Sequence, residues 1–153
     1  MAKKIVIILV ILVIIASLFL LQKPKEKSEI EMPKTEKLNQ EFKPFNASFE
    51  IITNGTKRIF TDSKYHNRNP FVYIEKGNPN VIIVKKEDTK WSEFFDSLPS
   101  PMKLTKECLT TGTGQKFCTN KDRKLYFFLN GSEKPNVLDL FIKNEDYLLI
   151  EYK

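Results

Sequence analysis

Cys108 and Cys118 are the only cysteines of the chain and enclose Leu-Thr-Thr-Gly-Thr-Gly-Gln-Lys-Phe. Gly112 and Gly114 allow the chain to reverse between them, which brings the two sulfurs across from each other in a hairpin. The spacing predicts a structural disulfide, worth about 3 kcal/mol on the chain-entropy estimate. A redox pair would want C-x-x-C, and a zinc site would want four ligands, whereas His66 is the single histidine. Gly112-Thr113-Gly114-Gln115-Lys116 has glycines and a lysine but lacks the spacing of a phosphate-binding loop and does not precede a helix. His66, beside Tyr65 and Arg68, has no nucleophile motif to serve as a general base for. Asp62, Asp88, Asp122 and Asp146 fall next to turns, where short carboxylates bond locally, and no calcium-loop spacing links them. These residues assign no catalytic, cofactor or metal site. The expectation is a protein that is not an enzyme; the alternative is a loop-built active site around His66 and Arg68, with Asp122 and Arg123.

Three N-x-S/T sequons, at Asn46, Asn54 and Asn130, are candidate glycosylation acceptors. Asn54-Gly55 and Asn130-Gly131 are equally the commonest hairpin turn, so the same residues carry a structural signal.

Residues 5–21, IVIILVILVIIASLFLL, are without exception apolar or small, entered from Lys3-Lys4 and left through Gln22-Lys23-Pro24. At about 1.5 Å per residue this is the short end of what crosses a hydrocarbon core of about 30 Å. The run is longer than a typical signal-peptide core, and its only small pair, Ala16-Ser17, is followed by more apolar residues, so an uncleaved single-pass anchor is expected. Lysines 23, 25, 27, 34 and 37 outnumber Lys3 and Lys4, which by the positive-inside rule favours an internal C-terminal domain. The short basic start, the cysteine pair and the sequons favour the opposite orientation. The reading adopted is cell-membrane localisation with the domain outside the cytoplasm.

The formal net charge is +6. Setting Lys3 and Lys4 aside leaves an excess of about four, scattered among glutamates instead of concentrated on one element with interleaved aromatics. That pattern is a solvated surface and excludes a typical nucleic-acid interface; the partners expected are the membrane and an unknown protein or small ligand.

The elements that must position any site follow. Residues 22–45, rich in Lys, Glu and Pro, read as a disordered linker with a reach of roughly 25–30 Å. Residues 46–153 read as one domain. Phe49–Thr53 and Thr56–Phe60 flank Asn54-Gly55 as a hairpin, and Phe71–Glu75 pairs with Val81–Lys85. Asp88 or Thr89 caps a helix with Trp91, Phe94, Phe95 and Leu98 at i, i+3, i+4, i+7, ended by Pro99. A ribbon over Lys106–Cys118 and strands at Leu125–Leu129 and Tyr147–Tyr152 complete the pattern, with Val137–Ile142 ambiguous between helical turn and strand.

Thr89-Lys90-Trp91-Ser92-Glu93-Phe94-Phe95-Asp96-Ser97-Leu98 resembles the helix start of small extracytoplasmic β-grasp domains. Leu125 to Gly131, with Asn144 to Tyr152 closing the chain, is similar to their ending of aromatic strand, Asn-Gly, acidic turn and last strand. Such domains resemble the C-terminal module of transcobalamin-like proteins and recur in membrane-anchored proteins of archaea and bacteria. Over roughly residues 71–152 the resemblance implies a fold and no functional residue. The fold expected is α+β: an N-terminal transmembrane helix, one β-grasp-like domain of mixed sheet and packed helix, and an additional N-terminal β-hairpin.

Leu125-Tyr126-Phe127-Phe128-Leu129, Val81–Val84 and Leu148–Ile150 are apolar on both faces, where a sheet with one wet face would alternate. One helix covers one face. The second is expected to be covered by the additional hairpin through Phe49, Ile51, Ile59 and Phe60, or to be a binding face, with Tyr126 and Phe128 as its candidate residues.

Overall fold

The structure is a computed structural model that describes residues 42–153. The apolar run 5–21 and most of the 22–45 linker lie outside the described residues. No helix among the described residues is long and apolar enough to cross a membrane.

The chain orders its elements as β1 (Phe45–Thr53), β2 (Thr56–Lys57), β3 (Val72–Ile74), β4 (Val81–Val84), α1 (Trp91–Asp96), β5 (Lys103–Leu104), β6 (Cys108–Thr110), β7 (Lys116–Cys118), β8 (Leu125–Leu129), β9 (Ser132–Glu133) and β10 (Tyr147–Tyr152). The fold is α+β. The larger sheet runs β3-β4-β1-β10-β8-β9, with β2 paired to β1; β5-β6-β7 form a separate three-stranded sheet. At the centre β1 and β10 pair in parallel, Phe49 opposite Leu148 and Ile51 opposite Ile150. Both flanks, β4 on β1 and β8 on β10, are antiparallel.

This arrangement corrects the expectation of an additional hairpin. The Asn54-Gly55 turn is present, with Asn54 at φ 51° and Gly55 at φ 76°, the pair of positive angles a type I′ turn requires. Its second strand, however, is only Thr56–Lys57, and its first is the middle of the sheet. The strand also begins within the segment read as linker, at Phe45, and Phe42 packs edge-on to Phe45 with centroids 5.8 Å apart.

Alternation along the central strands sorts the side chains. Ala47, Phe49 and Ile51 of β1, Ile82 and Val84 of β4, Phe127 of β8 and Leu148 and Ile150 of β10 are buried on the inner face. There they meet Trp91, Phe94, Phe95 and Leu98 of the helical stripe, as the spacing predicts. Phe49 is the hub, with ring centroids 5.0 Å from Phe60, 5.1 Å from Phe94 and 5.8 Å from Phe95. Truncating such a residue to alanine costs roughly 3–5 kcal/mol. Trp91 is fully buried and its Nε1 has no hydrogen-bond partner, so burial of the indole carries a polar cost that the aromatic packing must exceed.

The helix starts one residue later than its sequence signals. Thr89 is buried, and its hydroxyl donates to the Lys86 carbonyl in the turn before the helix. Lys90 is the N-cap residue, and its N–H is accepted by Glu93 Oε1 at 3.2 Å. Ser97 closes the last turn, its hydroxyl donating to the Phe94 carbonyl at 2.7 Å. Val137–Asp139 resolves as a 3-10 turn whose Val137 and Leu138 are buried beside α1. The ribbon is formed by β6 and β7, with Cys108 opposite Cys118 and the two joined as a disulfide.

Candidate functional site

The outer face of the larger sheet is built by the side chains that alternation turns away from the core. Cross-strand register places Glu50, Leu149 and Phe128 in one row and Ile52, Glu151 and Tyr126 in the next. Tyr126 and Phe128 stack with centroids 6.3 Å apart and planes 21° from parallel. Lys153 lies over both rings, its Nζ 5.5 Å from the Tyr126 centroid and 5.9 Å from that of Phe128.

Charge is set among these apolar side chains. Lys153 Nζ donates to Glu151 Oε2 at 2.6 Å, and that hydrogen bond raises the lysine above its ordinary value. Lys57 pairs with Glu50 at 2.7 Å. Near the other end of the face Lys85 sits over the Tyr73 ring, 5.1 Å from its centroid. Tyr147 is 39% exposed; burial of its hydroxyl, then the nearby Glu50 carboxylate, raises its pKa.

The hairpin does not cover this face. Phe49, Ile51 and Phe60 belong to the inner core and Ile59 projects to solvent. Every buried apolar side chain among the described residues joins that one inner cluster. Tyr126, Phe128, Leu149, Ile52 and Ile83 stay half-buried, screened by one another and by lysine stems.

The other sequence-derived positions have local partners. His66 Nε2 is 2.9 Å from the Phe60 carbonyl oxygen. Asp122 and Arg123 present their backbone N–H groups to Asn120 Oδ1, and the Arg123 guanidinium donates to Asn54 Oδ1 at 2.6 Å. Among the described residues no hydrogen bond or ion pair joins His66, Arg68, Asp122 and Arg123 to one another.

Of the sequon asparagines, Asn46 is exposed on the outer side of β1, and Asn54 and Asn130 occupy turns. The Asn130 amide is engaged on both sides: Nδ2 donates to Asp146 Oδ1 at 2.9 Å and Oδ1 accepts from the Tyr147 N–H at 2.8 Å.

The sequence singles out Tyr126 and Phe128 and places Leu149 in a strand apolar on both faces, but it does not join Ile52 and Lys153 to them. Their signal is register, which only the β1–β10–β8 pairing supplies. No protein-family description, no curated protein and no solved structure matches the chain.

Proposed function

We propose that this protein is a non-catalytic, membrane-tethered extracytoplasmic binding or accessory module of the cell envelope, and that it engages a protein partner through the outer face of its larger sheet. The observation that carries this reading is the stacked pair Tyr126 and Phe128, continued by Leu149 and Ile52 across three strands and left uncovered by the described elements. Aromatic and aliphatic side chains from three strands, with the ion-paired Glu50 and Glu151 set among them, give the mixture of apolar centre and paired charge found at protein interfaces. The tether is the run 5–21, on the hydropathy argument above. A β-grasp assignment for the domain is supported by the parallel β1–β10 centre, its antiparallel flanks β4 and β8, and the one α-helix among the described residues, which lies between those flanks in sequence.

The test places a photo-crosslinking residue at Phe128 in the full chain, in its own membrane, and compares it with the same residue at exposed Lys121 on the β7–β8 connection. A discrete adduct specific to position 128, lost in a Tyr126→Ala, Leu149→Ala background with an unchanged melting temperature, is the expected result. Equal labelling at both positions, or an adduct indifferent to those substitutions, overturns the reading.

A further inference from the structure

On the inner side of the sheet, the side to which Ile51 points, a cavity of about 210 Å³ opens between the strand following the first turn and the β6–β7 connection. Its floor is apolar: Ile51, Phe60, Met102 and Leu109, all buried. Ile59, 65% exposed, stands at the lip.

The polar part of the lining carries one sign of charge. Lys57 and Arg58 contribute to it and no aspartate or glutamate does. Lys57 is already paired with Glu50, which leaves Arg58. Its Nε donates to the buried Thr53 Oγ1 at 2.6 Å and Nη1 to Gln115 Oε1 at 3.4 Å, while the guanidinium lies 5.0 Å from the Phe117 centroid. A guanidinium has five N–H donors, so these contacts hold the group in place and leave donors open. Among the described residues it has no carboxylate partner. Opposite, the hydroxyls of Thr111 and Thr113 lie 2.9 Å apart and also line the cavity.

From this we propose that the cavity binds a small monocarboxylic acid with an apolar body, its hydrocarbon or ring on the floor and its carboxylate at Arg58 and the threonine hydroxyls. A fixed guanidinium with free N–H groups is suited to a planar carboxylate. A more highly charged anion would find only one unpaired cation and would have to dehydrate against the apolar floor. The volume lies below the ~300–1,000 Å³ of sites for drug-sized ligands, which limits the occupant to a fragment-sized molecule. The cavity floor and the outer face lie on opposite sides of β1, where Ile51 and Ile52 alternate, and Lys57, held by Glu50, is the one named residue they share.

The experiment uses the isotope-labelled full chain in lipid nanodiscs, titrated with phenylacetate and, separately, with neutral phenylacetamide. Saturable shifts of the Ile59, Gly112 and Thr113 amides by phenylacetate, with phenylacetamide weaker, are expected. Arg58→Gln should weaken phenylacetate roughly tenfold or more, the size of a lost charge-assisted bond, and leave phenylacetamide unchanged. Ile59→Glu, at a position exposed to solvent, should weaken both, and Tyr126→Ala with Leu149→Ala should weaken neither. Absence of saturable shifts in the unsubstituted protein, equal affinity for acid and amide, or phenylacetate binding untouched by both Arg58→Gln and Ile59→Glu each overturns the proposal.

Discussion

The phenol of Tyr65 ends against the backbone of Gly112, in the space that any side chain at residue 112 would need. Tyr65 is buried and held edge-on to Phe60 with centroids 5.2 Å apart, so it has little freedom to withdraw. Gly112, unlike Gly114, does not have a positive φ; it is required for proximity and not for backbone conformation.

Gly112→Ala is therefore expected to destabilise the domain by about 1–3 kcal/mol, the usual cost of overpacking. Because the hydroxyl oxygen is the nearest atom, Tyr65→Phe should recover part of the loss. Denaturant unfolding of the two single variants and the double variant measures the coupling, and equal losses for Gly112→Ala in both backgrounds would refute the steric account.

A chain beginning at Asp62 removes all of β1, which pairs with β10 on one side and β4 on the other. It should show no cooperative thermal transition, because Phe49 and Ile51 and both central ladders are lost together. A sharp transition in circular dichroism for that fragment would mean that the central strand is dispensable.

Asn130 sits at φ 52° and bonds to both the buried Asp146 and the Tyr147 N–H. Asn130→Gly keeps the backbone angle accessible and removes the side-chain bonds, which should cost about 1–3 kcal/mol. Asn130→Ala adds the strain of a left-handed conformation and should cost about 1 kcal/mol more. Equal losses for the two variants in chemical denaturation, or a smaller loss for Asn130→Ala, would show that the left-handed angle at residue 130 carries no net cost for a side chain.

Tyr147 gives the domain an alkaline dependence. Burial, then Glu50, raises its hydroxyl above the ordinary value of 10.0, so the unfolded chain loses this proton first. The stability linked to it is fully present below pH 10.0 and is lost as pH rises through the folded value. The difference in unfolding midpoint between the unsubstituted protein and Tyr147→Phe should shrink or change sign across that window. A difference that is flat with pH would assign the burial of Tyr147 no energetic role.

Local features of the fold were legible in residue types. The Asn54-Gly55 turn, the Trp91, Phe94, Phe95 and Leu98 stripe, the β3–β4 pair and the Cys108–Cys118 bridge each depend on a few neighbouring residues. The partners of β1 were not. Nothing in FNASFEIIT specifies that its neighbour is a strand at the other end of the chain, and an expectation built from neighbours in sequence assigned it to a separate hairpin. The broken alternation in Leu125–Leu129 shows in the sequence that both faces of this strand are apolar, and the structure turns Tyr126 and Phe128 away from buried Phe127; which side chains lie beside them follows from the register of β10. The Arg58 cavity was invisible for the same reason, since its walls come from residues 51–65 and 102–113.

The parallel pairing of the first and last strands also decides how the domain resists force. Six residues of β1, Ser48 to Thr53, lie alongside Tyr147 to Tyr152 and run in the same direction. Pulling the amino end of β1 and the carboxyl end of β10 apart drags the two strands past each other lengthwise. Their cross-links are then strained together, and none can be peeled off before the rest. A load applied between the two ends of the domain meets a shear clamp at its centre, and the outlying strands β3 and β9 carry none of it until that clamp fails.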